Sequence, residues 1–244
     1  MAIGPSNSAS LASAVAALDA DFLAVQEVDN FLERSGCVSQ MEIIASSMQT
    51  SHFSFAPSII GTPGEKWKAA KDLNQSVNGY GIGIASKIPV IAWDRLELGR
   101  SRIGMPLLVP ADEKNKARVR AMYVRDEPRI ALAATLENGW TLINTHLSFV
   151  PVVNFVQLVK LKKWADYLAN LYRSRTIILG DLNLPKDIPT MGSKWCSLAR
   201  QNTYPSWGAK IQFDYILSKE KSFESIPTIK TGISDHLPIS IKIN

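Results

Sequence analysis

Arg175-Thr176-Ile177-Ile178-Leu179-Gly180-Asp181-Leu182-Asn183 is the stretch that decides the fold of this chain. Its apolar run reads as a strand buried on both faces. The run stops at Gly180 and delivers Asp181 to a loop. Asp181 and Asn183 alternate along what reads as an extended segment, so both can face one cleft. Acids at strand ends in α/β sheets lie where ligands bind. The competing reading is an ordinary turn, since Gly-Asp and Asn-Leu-Pro are turn-formers.

Upstream of that stretch, Val152 to Leu171 shows helical spacing, with Phe155, Leu158, Val159, Leu161, Trp164, Ala165, Leu168 and Leu171 in a wide apolar stripe. Before it, Arg129 to Leu136 and Trp140 to Thr145 read as a hairpin around Glu137-Asn138-Gly139. His146 follows the second strand directly. Gly81 to Ser86 reads as a strand that Ile88-Pro89 ends. Phe22 to Gln26 reads as another buried strand with Glu27 at its C-terminal end. Ser8 or Ser10 can cap a helix running to about Leu18, and Gln40 to Met48 reads as a short helix. Downstream, Phe213 to Leu217 and Leu237 to Ile243 read as the last two strands. Ile239, Ile241 and Ile243 alternate with Ser240 and Lys242, so one face of the final strand should be wet. Helices and strands intermix, so the class is α/β or α+β.

The 244 residues, 46% of them hydrophobic, suffice for one large domain, and no linker divides them. We read 1–244 as a single domain. Gly99 to Pro128, rich in Pro, Arg and Lys, is a long basic surface excursion on it. Arg100, Arg102, Lys114, Lys116, Arg118, Arg120 and Arg125 cluster there, as a polyanion clamp or as a solvated loop. The net charge of +5 favours anionic partners, and serves solubility equally well. Cys37 and Cys196 give neither a disulfide framework nor a zinc spacing, which fits a reducing, cytoplasmic setting. No apolar run approaches the ~20 residues that span a bilayer, and the N-terminus lacks the pattern of a signal peptide.

Two of the three histidines, His146 and His236, fall in strand-end motifs, beside acids and an amide in similar positions. Hard oxygen ligands with imidazoles and no cysteine cluster suit Mg²⁺ (or Mn²⁺) and a phosphate ester. Glu27 can offer a carboxylate oxygen to the ion, or merely cap a loop. Asp181 can orient and deprotonate a water. Asn183 can donate to a phosphate oxygen or complete the metal shell. His146 and His236 offer N–H donors to phosphoryl oxygens. Asp235 can bind metal. Asp214 can hold an imidazole in one tautomer. Sequence does not divide the duties of Asp214 and Asp235. His52 lacks such a context and reads as structural.

The motifs "QEV" (Gln26 to Val28), "THLS" (Thr145 to Ser148), "GDLN" (Gly180 to Asn183), "DYIL" (Asp214 to Leu217) and "SDH" (Ser234 to His236) occur in that order, each at a strand end. With "NTYPSWGAKIQFDYIL" before the penultimate strand, they resemble the endonuclease/exonuclease/phosphatase (DNase I-like) superfamily from Leu11 to Ile243. Its members include nucleases, inositol polyphosphate phosphatases and sphingomyelinases. The resemblance implies a four-layer α/β/β/α sandwich of two packed mixed sheets with the active site in a cleft at one end. It implies a metal-dependent phosphoesterase, leaning to phosphodiesters and including nucleic acid among its substrates. His146, Asp181, Asn183, Asp214 and His236 would be catalytic, with His236 paired to Asp214. Glu27 and Asp235 would hold the metal.

Two features depart from that pattern. Members usually begin with a core strand carrying a metal-binding Asn. Here Met1-Ala2-Ile3-Gly4-Pro5 runs almost directly into the first helix. The expectation is an N-terminally shortened chain with an exposed sheet edge, weak metal binding and self-association. In addition, Asn78-Gly79-Tyr80 stands where some members carry an acid, so His146 lacks that partner. The rival functions are a non-catalytic phosphate- or nucleic-acid-binding module and a lipid phosphodiesterase. The latter needs an exposed apolar patch. Trp67, Trp93 and Trp195 could supply one, but they read better as core.

Overall fold

The apolar runs become the inner strands of two facing sheets. The computed structural model describes residues 1, 3–4, 6–73, 76–110, 119–220, 223–227 and 229–243. In chain order the elements are α1 (Ser8–Leu18), β1 (Phe22–Asn30), α2 (Gln40–Ser47), β2 (His52–Gly61), β3 (Trp67–Ala69), β4 (Gly79–Ser86), β5 (Val90–Gly99), β6 (Met105–Pro110), β7 (Val119–Val124), β8 (Arg129–Leu136), β9 (Trp140–His146), α3 (Val153–Tyr172), β10 (Arg175–Asp181), β11 (Cys196–Ser197), β12 (Asp214–Ser218), β13 (Phe223–Ile226) and β14 (Ser240–Ile243). The first sheet has the order β1-β4-β2-β3 and the second β11-β12-β10-β9-β8-β5. Within the second, β9 and β10 run parallel while β10 and β12 run antiparallel.

Three apolar clusters give the four layers. Between the sheets, Ala56, Ile82 and Ile84 meet Leu132, Leu142 and Ile177. On the outer face of the first sheet, Leu11 and Val15 of α1 and Met41 and Ile44 of α2 cover Val25 and Phe55. On the outer face of the second, Leu158, Leu161 and Leu168 of α3 cover Ile143 and Ile178. Burying each such leucine contributes about 2 kcal/mol. The expected α/β/β/α sandwich is therefore the fold. A polar clamp interrupts the layer between the sheets. Gln26 Nε2 of β1 donates to Asn144 Oδ1 of β9 at 2.6 Å. Asn144 Nδ2 donates to the carbonyls of Val25 and Gly83, both at 2.8 Å.

Several local expectations change. Asn7, not Ser8 or Ser10, caps α1, accepting from Ser10 N–H. The apolar stripe of α3 is narrower than its spacing suggests, since Phe155, Val159 and Leu171 face solvent. The final strand pairs with β13 in a separate two-stranded ribbon. No strand precedes α1 among the described residues. Yet Gln26 N–H donates to Met1 O, and the N–H groups of Ile3 and Gly4 donate to the carbonyls of Gln26 and Glu27. Those residues lie parallel to β1 and partly cover the edge expected to be bare. Trp195 is buried beneath α3, and Trp67 and Trp93 pack partly against core clusters. The excursion forms the hairpin β6–β7. Lys114, Lys116 and Arg118 lie outside the described residues.

Candidate active site

Strand register assembles the site. His146 of β9 is the Cα partner of Asp181 of β10, and Asp181 is the partner of Asp214 of β12. One imidazole and two carboxylates thus stand in a row across three strands. Gly180 makes the tight approach possible. Its φ is +138°, and a Cβ there would lie 1.9 Å from Thr145 O.

Asp181 is buried. Its Oδ1 accepts from Asn183 N–H at 2.8 Å. Its Oδ2 lies 3.6 Å from His146 Nε2 and 3.9 Å from His236 Nε2. Both gaps exceed a direct hydrogen bond and suit a shared small group between them. Burial first, and then the Asp214 charge, push the Asp181 carboxyl up to about 7. Asp214 shifts the other way. Burial raises it, but the hydrogen bond and charge of His236 outweigh burial and hold it below the usual carboxylate range.

His236 Nδ1 meets Asp214 Oδ2 at 2.7 Å, as the resemblance implies. Although burial opposes the charge, this bond and the neighbouring carboxylates raise the imidazole to about 10. Nε2 is then the nitrogen turned to Asp181. His146 behaves oppositely. Burial, the Arg129 charge and His236 hold it well below its ordinary value, so it is neutral at pH 7. The two histidines therefore differ in charge, one imidazolium and one neutral imidazole.

Asn183 does not continue an extended segment. Its φ is +48°, and its Nδ2 donates to Leu147 O at 3.0 Å. The Asn154 amide of α3 donates in turn to Asn183 O. Glu27 comes from the opposite sheet and is not at a strand end. β1 runs on to Asn30, with its register broken between Gln26 and Val28. Glu27 occupies that bulge at φ +59°, and bulges re-aim side chains beside active sites. Burial and then the Asp235 charge raise Glu27 to about 7. Asp235 itself is exposed.

The chemistry of this donor set decides whether it fits a metal. Among the described residues no group of three or more His, Cys, Asp or Glu has the close arrangement of a metal-holding set. Glu27 and Asp235 are instead two carboxylates that repel each other. Mg²⁺ fits such a pair, because it keeps several waters and needs only one or two carboxylates.

Sequence patterns did not single out the groups that hold the site. Thr203 Oγ1 accepts from the N–H groups of Phe213 and Asp214. The Tyr204 ring lies 4.9 Å from that of His236, at 47°. Ser206 N–H donates to Asp235 O, and Leu237 N–H donates to Thr203 O. The Thr-Tyr-Pro-Ser-Trp run was visible, but its partners lie ten or eleven residues on, at Phe213 and Asp214, and about thirty residues on, at Asp235 to Leu237. Arg129 at the start of β8 gave no motif at all. His52 opens β2, outside this cluster. A surface recess of about 660 Å³ between α1, α2 and residues 31–39 contains none of these groups. The side chains, not the recess, locate the chemistry.

No curated protein matches the chain. Among solved structures it is similar to a mannosyl-6-phosphatase of Bacteroides thetaiotaomicron VPI-5482, with TM-score 0.58 and 12% identity over 99% of this chain and 97% of that one. A functionally unknown conserved protein of Enterococcus faecalis V583 gives TM-score 0.58 and 17% identity over 95% and 90%. The human Nocturnin catalytic domain gives 0.55 and 15% over 93% and 83%. Identities this low speak for the fold alone. Residues 4–236, however, match the family model that spans this whole sandwich, and the chain belongs to the Endonuclease/Exonuclease/phosphatase family.

Proposed function

We propose that the chain is a divalent-metal-dependent phosphoesterase that cleaves a P–O bond by in-line attack of water. One observation carries this reading. Asp181 turns a free carboxylate oxygen to both imidazoles, and Asp214 stands behind one of them. Because Asn183 N–H occupies Oδ1, Oδ2 is the oxygen that orients the water and takes its proton. A base titrating near 7 suits that task. His236, kept charged by Asp214, donates from Nε2 to a phosphoryl oxygen as negative charge builds there. His146 donates without bringing a charge. The Asn183 amide gives one hydrogen to Leu147 O and keeps the other for the phosphate. Glu27 and Asp235 would hold Mg²⁺ or Mn²⁺. When bound, the ion neutralises charge on the transferred group.

The family resemblance favours phosphodiesters. The names of similar structures cover a sugar phosphatase and ANGEL2, a 2′,3′-cyclic phosphatase. The test is therefore a panel of plasmid DNA, abasic DNA, bis-nitrophenyl phosphate, inositol phosphates, sugar phosphates and sphingomyelin, with Mg²⁺ or Mn²⁺. Hydrolysis of at least one, abolished by chelation, is expected. No turnover on any member with either ion leaves a binding module as the surviving reading.

Two predictions arise here. The rate rises with pH as Asp181 ionises, around 7, and falls again as His236 loses its proton, near 10. A kcat profile flat between pH 6 and 8 removes Asp181 as the titrating base. Glu27→Gln keeps an oxygen ligand but loses its charge, so Mg²⁺ affinity drops by about tenfold or more. Calorimetric titration reads this directly. Unchanged affinity moves the ion away from Glu27.

A further inference from the structure

Exposed arginines and exposed apolar side chains lie on the excursion, and further exposed apolar side chains on the loop and first turn of α3, at the site end of the second sheet. The excursion leaves β5 at Gly99 and returns to β8 at Arg129, and these two residues are register partners. Its feet are tied to the chain that follows His146. Ser101 N–H and the Ser148 hydroxyl both donate to Asp126 Oδ2, at 2.6 and 2.8 Å. Gln157 Nε2 of α3 donates to Gly99 O at 3.2 Å. The root of the β6–β7 hairpin therefore stands against the loop and first turns of α3.

On this rim Ile103 is 69% exposed, Tyr123 62%, Val152 73% and Val156 60%, and Met122 and Phe155 also face solvent. Arg100, Arg102, Arg120 and Arg125 are exposed on the same excursion. Its described acids do not offset them. Asp126 is buried and hydrogen-bonded, and Glu127 is only half-exposed.

We propose that this rim docks on the surface of an anionic lipid bilayer. Aliphatic tips next to cations are the pattern of an interfacial anchor, with the tips among acyl chains and the cations at headgroups. Nucleic acid fits less well. It could use the cations with Tyr123 and Phe155, but offers nothing to Ile103, Met122, Val152 and Val156. A second copy of the chain would set arginine against arginine. No helix among the described residues is long and apolar enough to cross a membrane, and the proposed attachment is to a surface. His146, Ser148 and Val152 share one short segment, so docking brings the cleft to the headgroups.

The experiment is co-sedimentation of the full chain with vesicles of phosphatidylcholine alone, or with about 30 mol% phosphatidylserine. Binding to the anionic vesicles is expected to be about tenfold tighter and to weaken with salt. The triple variant Ile103→Ser, Met122→Ser, Val156→Ser is expected to lose about tenfold in vesicle affinity, with unchanged melting temperature. Arg102→Gln, Arg120→Gln, Arg125→Gln removes the preference for phosphatidylserine. Absence of vesicle binding at low salt overturns the proposal, as does binding that the Ser variant retains in full. Single-stranded oligonucleotide bound in place of vesicles would assign the rim to a polynucleotide and overturn it too. A concentration-dependent mass increase that the Ser variant abolishes would assign the rim to self-association and likewise overturn the proposal. Vesicle binding needs no turnover, so it stands or falls separately from the phosphoesterase reading.

Discussion

Asp181→Asn lowers kcat by about three orders of magnitude, the middle of the range for losing a positioned general base. The amide is nearly isosteric, and its oxygen can still accept from Asn183 N–H. What disappears is the ability to take a proton beside His146 and His236. The fold gives a second readout. A buried carboxyl raised to about 7 opposes folding once it ionises, and that penalty grows from its unfolded value up to 7 and is complete above. The uncharged amide also removes repulsion with Asp214. The variant should therefore melt no lower than the parent at pH 8 while being nearly inactive. Circular dichroism melts and single-turnover hydrolysis measure the two effects. Near-parental hydrolysis in the purified variant would show that Asp181 neither orients nor deprotonates the water.

Gly180→Ala destabilises the chain by roughly 3 kcal/mol or more, a combination of backbone strain and steric overlap. Its φ of +138° is open essentially to glycine alone, and the new Cβ would meet Thr145 O at 1.9 Å. That carbonyl belongs to the neighbouring strand β9, so relief requires β10 to move away from it. Such a movement separates Asp181 from His146, and activity falls along with stability. Gly139→Ala is the control. Its φ is +83°, but nothing lies within 4 Å of the added Cβ, so the expected loss is about 1 kcal/mol. Urea unfolding of both variants compares strain with and without the clash. Equal losses would mean that the Thr145 contact is not what demands glycine.

Much of this architecture was legible in order and pattern. Runs such as Ile177-Ile178-Leu179 carry their own strand signal, and the Asn138-Gly139 turn fixed the β8–β9 hairpin. β2 was hidden by Pro57, which argues against an inner strand. The register shift between Pro57 and Ile59 accommodates it. β5 was hidden because its side chains are mostly half-exposed, as befits an edge of the second sheet. In the candidate site, His146, Asp181 and Asp214 stood out because each sits at a strand end. Glu27 stood out for the wrong local reason. It is aimed by a bulge, which depends on pairing with β4 and leaves no mark in β1 alone. Thr203 supports Asp214, eleven residues on, and Tyr204 lies against His236, thirty-two residues on; neither contact leaves a mark in the sequence pattern.

The clamp between Gln26 and Asn144 bears on how the molecule would fail. Apolar surfaces attract without direction, so two greasy sheets resist separation far better than they resist sliding. Hydrogen bonds have direction. Gln26 immediately precedes Glu27, and Asn144 lies two residues before His146. A shearing motion between the halves must break those amide bonds before it can carry Glu27 away from Asp181. The directional bonds are thus concentrated beside the gap that the proposed chemistry would need to keep constant. Loosening this latch would let the two halves drift out of alignment while each kept its own strands, so catalysis would fade well before the far-ultraviolet signal of the sheets did.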